Sequence, residues 1–309
     1  MRAQATRWKR ATFVAVTLWA CLVTSGCGPE EVVEEGALPE APKVESPPRR
    51  IVSLAPSVTE TLFALGVGDR VVGVTSFCDY PPEADALPKI GDFVQHDIER
   101  ILELSPDLVI LGMGPGDVLN TYRRLLDVSV PALVVRFDTL SDVFVAIDRI
   151  GVAVHRSAAA AELSSSLHRE VDNVQALVSE LPRPRVLYVY ENTDFSLVVA
   201  GPDHYTSELI AVAGGENVAG DAKVKYPRQS IEWVLDQDPD VIISTTAHQD
   251  SPADPDRAVQ ELWSQWPGLK AVQNGRVHSQ ELVRPGPRLG EGLRALAALL
   301  HPGMAESLR

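Results

Sequence analysis

The sequence predicts an α/β protein built from two similar lobes, and three observations carry that prediction. Ile98-Glu99-Arg100-Ile101-Leu102-Glu103-Leu104-Ser105-Pro106-Asp107-Leu108-Val109-Ile110 returns as Ile231-Glu232-Trp233-Val234-Leu235-Asp236-Gln237-Asp238-Pro239-Asp240-Val241-Ile242-Ile243. Each copy runs from apolar residues at helical spacing, through a Pro-Asp break, into a short β-branched run, which reads as helix, turn and buried strand. A second pair precedes these units: Leu65-Gly66 before Val72-Gly73, and Ala213-Gly214 before Val218-Ala219-Gly220. Strands alternating with helices then argue for a mainly parallel sheet covered on both faces. Two copies mean two lobes, since a solenoid needs three or more repeats, and a cleft between lobes is a common small-molecule site.

In chain order, residues 1–27 come first. Arg2, Arg7, Lys9 and Arg10, with no acid, precede an apolar stretch from Ala11 to Val23 and then Thr24-Ser25-Gly26-Cys27. This is a secretory signal, too short and wrongly flanked for a membrane span. Residues 28–49 form a polar tether rich in Pro and Glu. The N-terminal lobe occupies 50–139. Ile51 to Leu54 is its first strand, and Ser57 to Leu65 a helix whose start is marked by Ser57 with Glu60 three positions on. Val71 to Thr75 is a strand, the Glu99 helix follows, and Leu108 to Leu111 and Leu133 to Val135 supply two more strands.

Residues 140–182 join the lobes. Leu140 to Leu181 contains no proline and one glycine, Gly151, so one long helix is the economical reading and two helices divided at Gly151 the alternative. Forty helical residues would span about 60 Å at 1.5 Å each, enough to form a stiff spine. The C-terminal lobe, 183–302, opens with the strand Arg185 to Tyr190 after the break at Leu181-Pro182-Arg183-Pro184. It closes near His301-Pro302, leaving a tail over 303–309.

The formal charge is −14. Without residues 1–27 it becomes 24 − 42, or −18, which excludes nucleic acid as a partner. Of three cysteines, Cys21 lies in the signal and Cys27 at its end, so Cys78 has no partner for a disulfide framework or a Cys-type zinc site and reads as a small buried hydrophobe. The histidines His96, His155, His168, His204, His248, His278 and His301 show no metal-ligand spacing, and no resident metal or cofactor is expected. Gly112-Met113-Gly114-Pro115-Gly116 lacks the Gly-Lys-Ser/Thr tail of a phosphate loop and suits a cleft edge. With no Gly-x-Ser-x-Gly elbow, no catalytic residue is assigned and no enzyme is expected.

The small residues before Cys27 resemble a bacterial lipobox, whose cysteine is acylated; an ordinary cleaved signal is the alternative. That box, Ser53-Leu54-Ala55-Pro56-Ser57-Val58-Thr59-Glu60, Asp79-Tyr80-Pro81-Pro82, the two Pro-Asp units and the long middle helix together resemble the cobalamin-binding proteins of bacterial ABC importers. These belong to a helical-backbone class shared with siderophore and haem receptors. The resemblance spans about Arg50 to Pro302. It implies two Rossmann-like lobes joined by a long rigid helix, with the ligand in the cleft, and a monomer lipid-anchored on the periplasmic side of the cell envelope. Its partner would be an ABC permease dimer with ATPase subunits.

The resemblance also implies site residues. Glu99 and Glu232 match the exposed glutamates, one per lobe, that dock on permease arginines; the bland alternative is an acid favoured in a first helical turn. Phe77, Phe93, Met113, Tyr190 and Tyr226 fall at pocket-lining positions, with Phe93, Met113 and Tyr226 standing where the family tends to have tryptophan. Aromatic rings near strand ends are also ordinary core residues. Arg284 matches a position that can face the ligand and would suit a carboxylate or phosphate, surface exposure being its alternative. Arg288 is expected to cap or support the terminal helix. His96 and His204 are weighed as axial ligands to a haem or corrinoid metal against plain loop histidines. The expected cargo is a corrinoid, cobalamin, with haem or a ferric siderophore as alternative and a tetrapyrrole-modifying enzyme as the rival of another class.

Overall fold

The computed structural model describes residues 38–92, 95–114, 117–193, 196–245, 254–279 and 284–308, with backbone only at 191–193. The N-terminal lobe contains β1 (Ile51–Ser53), α1 (Pro56–Ala64), β2 (Val71–Val74), α2 (Pro82–Asp85), α3 (Ile98–Glu103), β3 (Leu108–Gly112), α4 (Val118–Asp127) and β4 (Ala132–Val135). Two helices follow, α5 (Leu140–Ala153) and α6 (Ser157–Val178). The C-terminal lobe contains β5 (Arg185–Thr193), β6 (Ser196–Val199), α7 (Tyr205–Val212), β7 (Glu216–Asn217), β8 (Arg228–Ser230), α8 (Ile231–Gln237), β9 (Val241–Ser244), α9 (Pro255–Trp263), α10 (Lys270–Gln273), β10 (Val277–His278) and α11 (Leu289–Leu300).

The first sheet is parallel in the order β2-β1-β3-β4. The second runs β10-β9-β5-β6-β8, with β7 also beside β5; β10, β9 and β5 are parallel, while β6 is antiparallel to both β5 and β8. Side chains alternate across each strand, and that alternation sorts the core. Ile51, Leu108, Ile110, Leu133 and Val135 join Val186, Tyr188, Val241 and Ile243 in one apolar cluster that continues through α1, α5, α6, α7 and α11. The intervening Val52, Val109, Leu111, Ala132 and Val134 face a cluster private to the first lobe. Leu187, Val189 and Ile242 face another in the second lobe. One face of each sheet thus contributes to a core shared by both lobes, which resists their separation because parting them would wet that surface.

The repeated Pro-Asp unit has a repeated physical cause. Ser105 and Asp238, the eighth residues of the copies, both take the left-handed conformation, at φ 46° and 43°, and end α3 and α8. Two residues on, the Asp107 carboxylate accepts from the Arg49 and Arg50 amides at 2.7 and 2.9 Å, and Asp240 accepts from the Arg185 amide at 2.9 Å. The guanidiniums of Arg50 and Arg185 donate to the carbonyls of Leu104 and Gln237, the seventh residues of the copies. In each lobe a strand start is clamped to a helix end whose carbonyls lack helical partners. The glycine pair repeats likewise: Gly66 and Gly214 adopt φ 70° and 80° after α1 and α7, a conformation glycine takes without steric cost.

Several expectations are corrected. The 140–182 segment is two helices, and the break falls at Val154 to Arg156, where His155 has φ 58°. Gly151 does not divide them; it stays inside α5, and a Cβ there would come within 2.3 Å of Ala160 Cβ, so it permits close packing of α5 on α6. The Ser57 cap with Glu60 does not form. Ala55 holds the cap position with no side-chain bond and Pro56 takes the first turn, where its missing N–H costs nothing. The tether expected over 28–49 is laid against the protein from residue 38 on: Arg149 donates to Pro39 O at 2.9 Å, a His155 ring nitrogen lies 2.9 Å from Val44 O, and Ala41 and Val44 pack on the shared core. The tail expected over 303–309 is likewise packed over its described residues, 303–308, with Leu308 buried in the shared core and Met304 packed against that core. Among the described residues no helix is long and apolar enough to cross a membrane. The signal and Cys27 lie outside the described residues.

Candidate functional site

The strand C-termini of the first lobe lead into Ala55 to Ser57, Thr75 to Tyr80, Met113 and Gly114, and Arg136 to Thr139. In parallel sheets this is the edge that carries ligands. Pieces of the second lobe meet it directly. The Tyr205 amide, opening α7, donates to Asp138 O at 2.5 Å, and Glu208 accepts from the Leu140 amide at 2.6 Å. Lys225 Nζ pairs with Asp138 at 2.8 Å. Arg284 and Arg288, just before α11, reach Asp79 and Glu60. These contacts define a seam between the lobes.

On the second-lobe side of the seam stands an aromatic group. Tyr190 lies near the end of β5, where Thr245 Oγ1 donates to its carbonyl at 2.7 Å. His204 caps α7, its Nδ1 accepting from the Thr206 amide at 3.3 Å. Nε2 of the same ring lies 2.6 Å from Tyr226 Oη, and Tyr190 Oη donates to Thr206 Oγ1 at 2.6 Å while lying 3.1 Å from Nδ1. Ring centroids are 5.5 Å apart for Tyr190 and Tyr226 and 4.8 Å for His204 and Tyr226, within the range of favourable edge contacts.

Burial holds His204 neutral, lowering its pKa to about 4. Because Nδ1 is the acceptor for the cap, the network assigns the single ring proton to Nε2. That proton goes to Tyr226 Oη, and the Tyr226 hydroxyl hydrogen is left for another acceptor. Burial also raises the Tyr226 and Tyr190 hydroxyls above the usual tyrosine range, so both stay protonated. Tyr226 is half exposed. The patch therefore offers two ring surfaces and a hydroxyl donor.

The seam also contains an ion cluster. Arg288 grips Glu60 with two hydrogen bonds at 2.9 and 2.7 Å, and its guanidinium stacks 4.0 Å above the Tyr80 ring. The Glu60 side chain is 1% exposed, so this bidentate pair satisfies a charge that would be costly to bury alone. Arg284 grips Asp79 with two bonds and lies 3.7 Å from Glu60. Arg288 sits at the cap position of α11 without a side-chain cap; its side chain ties the two lobes together instead of supporting its own helix.

The sequence-derived candidates are distributed as follows. Tyr190 and Tyr226 belong to the aromatic group, and Arg284 belongs to the ion cluster that joins the lobes. Phe77, half-buried, belongs to the segment after β2 that carries Asp79 and Tyr80. Met113 follows β3 and packs partly on the first lobe's own core. Phe93 lies outside the described residues, as do Pro115 and Gly116. Glu99 and Glu232 are each the second residue of their helix, after caps Asp97 and Ser230, and both are exposed. The Ser230 hydroxyl holds the Glu232 carboxyl below the usual range. His96 bonds Thr121 through Nδ1 at 3.2 Å, and burial lowers its pKa. His204 is no loop histidine: it is buried and bonded at both ring nitrogens. Sequence reasoning missed Asp79 as a partner of Arg284, read Glu60 as a cap, and passed over Lys225 with Asp138. Only the Asp79-Tyr80-Pro81 motif offered a signal for any of these. Cys78 is buried, with Sγ 3.1 Å from Thr59 Oγ1.

A cavity of about 410 Å³ lies elsewhere, between α6, α11 and the chain end, lined by Glu170, Asn173, Arg294 and Leu308 among others. None of the seam residues lines it. Among the described residues no group of three His, Cys, Asp or Glu side chains is placed to hold a metal ion.

The family model described as periplasmic binding protein matches residues 51–279. An ABC transporter substrate-binding lipoprotein of Bacillus subtilis, YvrC, is 28% identical over 95% of this chain and 98% of its own length. The vitamin B12-binding protein of Vibrio cholerae is 30% identical over 82% of this chain and 90% of its own. Among solved structures, the periplasmic haem-binding protein RhuT from Roseiflexus sp. RS-1 superposes with a TM-score of 0.73 at 28% identity, covering 84% of this chain and 99% of that one.

Proposed function

We propose a function from one premise: the chain belongs to the periplasmic binding protein family. It is the extracytoplasmic substrate-binding protein of an ABC importer, of the class whose members receive corrinoids, haem or siderophores, and its cargo is a corrinoid of the cobalamin type. It captures the ligand at the inter-lobe seam and delivers it to a permease and its ATPase without making or breaking a bond. Two relatives above support that reading, one named as a vitamin B12-binding protein and the other as an ABC transporter substrate-binding lipoprotein.

The observation that favours a corrinoid over haem is the state of His204. Among the described residues, the histidine of the seam's aromatic group has both ring nitrogens engaged, which suits a flat ligand that brings its own metal coordination. Tyr190 and Tyr226 supply ring contact and a donor for an amide carbonyl at the ligand's edge. Haem remains the second reading, favoured by the likeness to RhuT. The shared core lowers the ordering cost of binding by holding the lobes in place before the ligand arrives. Glu99 and Glu232, at the same step of the repeat, are the docking charges for a two-fold permease, and Cys27 is the acylated residue. Absorbance titration of the purified protein with cyanocobalamin, haem and a ferric siderophore tests the cargo: saturable binding of the corrinoid alone is expected, and preference for either other ligand overturns it.

A further inference from the structure

Two cross-lobe bonds converge on one residue of the first lobe. The Asp138 carbonyl accepts from the Tyr205 amide at 2.5 Å, and the Asp138 carboxylate pairs with Lys225 Nζ at 2.8 Å. Both ends of this ion pair are anchored. Asp138 stands just before Thr139, whose capping box with Asp142 fixes the start of α5, and the Leu140 amide is held across the seam by Glu208. In the second lobe, the end of β6 and the turn after it grip the chain around Lys225: the Gly201 amide donates to Lys225 O at 2.8 Å and the Val199 amide to Pro227 O at 3.1 Å. Gly201 permits that approach, since a Cβ there would come within 2.2 Å of Val224 O. Residues 224–227 are therefore carried by their own lobe, and the half-exposed Tyr226 ring is carried with them.

We propose that Lys225 is a positioning residue: its ion pair with Asp138 is a latch that sets the gap between the first lobe and the Tyr226 ring, and thereby how long the ligand is retained. This rests on the reading above that Tyr226 contacts a corrinoid at the seam. An exposed ion pair is usually weak, because two flexible side chains must be ordered to form it and salt screens it. At this pair the backbone is fixed on both sides and the aspartate is short, so the ordering cost falls on the lysine side chain. The pair's pull is also not absorbed by a yielding loop; it acts on the spacing of the lobes beside the ring. With the two side chains 43% and 38% exposed, solvent ions still reach the pair, so it holds the seam without sealing it. The shared core resists separation over a broad apolar surface, whereas the latch acts at one edge, and parting the lobes there breaks it and withdraws Tyr226 from the first lobe.

The test follows dissociation of cyanocobalamin from the full chain by stopped flow in wild type, Lys225→Met, Asp138→Asn and the double variant. Each single variant is expected to release the ligand about three- to five-fold faster, with association unchanged within about two-fold, and the double variant to be about as fast as the faster single one. Lys225→Arg, which keeps the charge, should stay within about two-fold of wild type. In a Tyr226→Ala background Lys225→Met should add nothing, a result that general loosening of the fold would not give. Raising the ionic strength from about 0.05 to about 0.5 M should speed release from the wild type and not from Lys225→Met. Release unchanged in Lys225→Met, additive effects of the two single variants, Lys225→Arg as fast as Lys225→Met, an effect that persists without the Tyr226 ring, or a wild-type rate independent of salt each overturns the proposal. A wild type that binds haem or a ferric siderophore in place of cyanocobalamin overturns the corrinoid reading instead, and the same cycle on that ligand then decides the latch; binding of none of the three overturns both.

Discussion

His204 Nε2 lies 2.6 Å from Tyr226 Oη, and because Nδ1 already serves as the α7 cap, the histidine donates and the tyrosine accepts. A half-exposed tyrosine is thus held in one orientation by a buried, neutral histidine. Removing the ring by Tyr226→Ala should weaken corrinoid binding by about 1–3 kcal/mol, whereas Tyr226→Phe, which keeps the ring and loses the hydroxyl's bond to the ligand along with the one it accepts from His204, should cost about 0.5–1.5 kcal/mol of affinity. Equilibrium titration of both variants checks this. Unchanged affinity in Tyr226→Ala would remove the residue from the site.

The same histidine sets a pH dependence. Its folded pKa of about 4 lies below the ordinary 6.5, so between these values the unfolded chain binds the extra proton and the native state does not. Stability contributed by neutral His204 is complete above about pH 6.5 and is lost as the pH falls toward 4, by up to on the order of 3 kcal/mol. Burial lowers His96, His278 and His301 as well, and these act with the same sign. Urea denaturation of wild type and His204→Asn isolates the one group, since asparagine retains a capping acceptor but does not titrate. The wild type should lose more stability across that window, and parallel curves would refute the assignment.

Gly151 provides a case where two effects oppose. Alanine in a helix interior is favoured over glycine by about 1 kcal/mol. Here the new methyl would lie 2.3 Å from Ala160 Cβ, and overpacking between two helices of the shared core typically costs about 1–3 kcal/mol. Gly151→Ala should therefore destabilise, and adding Ala160→Gly should recover part of the loss. A stabilised single variant in thermal denaturation would show that α5 and α6 are free to part.

The twin clamps make a paired prediction. Asp107→Ala removes the charged acceptor of the exposed Arg49 and Arg50 amides, and Asp240→Ala that of the half-buried Arg185 amide. Each should cost about 1–3 kcal/mol. Hydrogen exchange should localise the first loss to β1 and β3 and the second to β5 and β9. Losses spread evenly over both sheets would contradict the lobe-by-lobe role of the repeat.

Charge reversal at the exposed positions separates docking from binding. Glu99→Lys with Glu232→Lys should abolish uptake by the importer while leaving ligand affinity within about two-fold, because surface charges in first helical turns contribute little to distant packing. Equal loss of affinity would assign the pair to the fold.

Local pattern made much of this legible. The β-branched runs after each Pro-Asp mark β3 and β9, and the paired glycines mark the left-handed ends of α1 and α7, since these signals depend on residues a few positions apart. The helix break at His155 was not legible, because a left-handed non-glycine residue carries no sequence mark; the packing of α5 on α6 selects it. Glu60 satisfied the capping pattern and was read that way, but its partner Arg288 is 228 residues distant, and spacing along the chain says nothing of such a pair.

The amino-acid order alone determined that there are two related lobes and a pair of matched acids, because periodicity and repetition act over short stretches of chain. Tertiary structure alone decided which proton His204 carries, which carboxylate each arginine holds and how one face of both sheets became a single core. Those outcomes depend on burial and on charges from opposite lobes meeting within hydrogen-bond reach, quantities that exist only once the chain has folded.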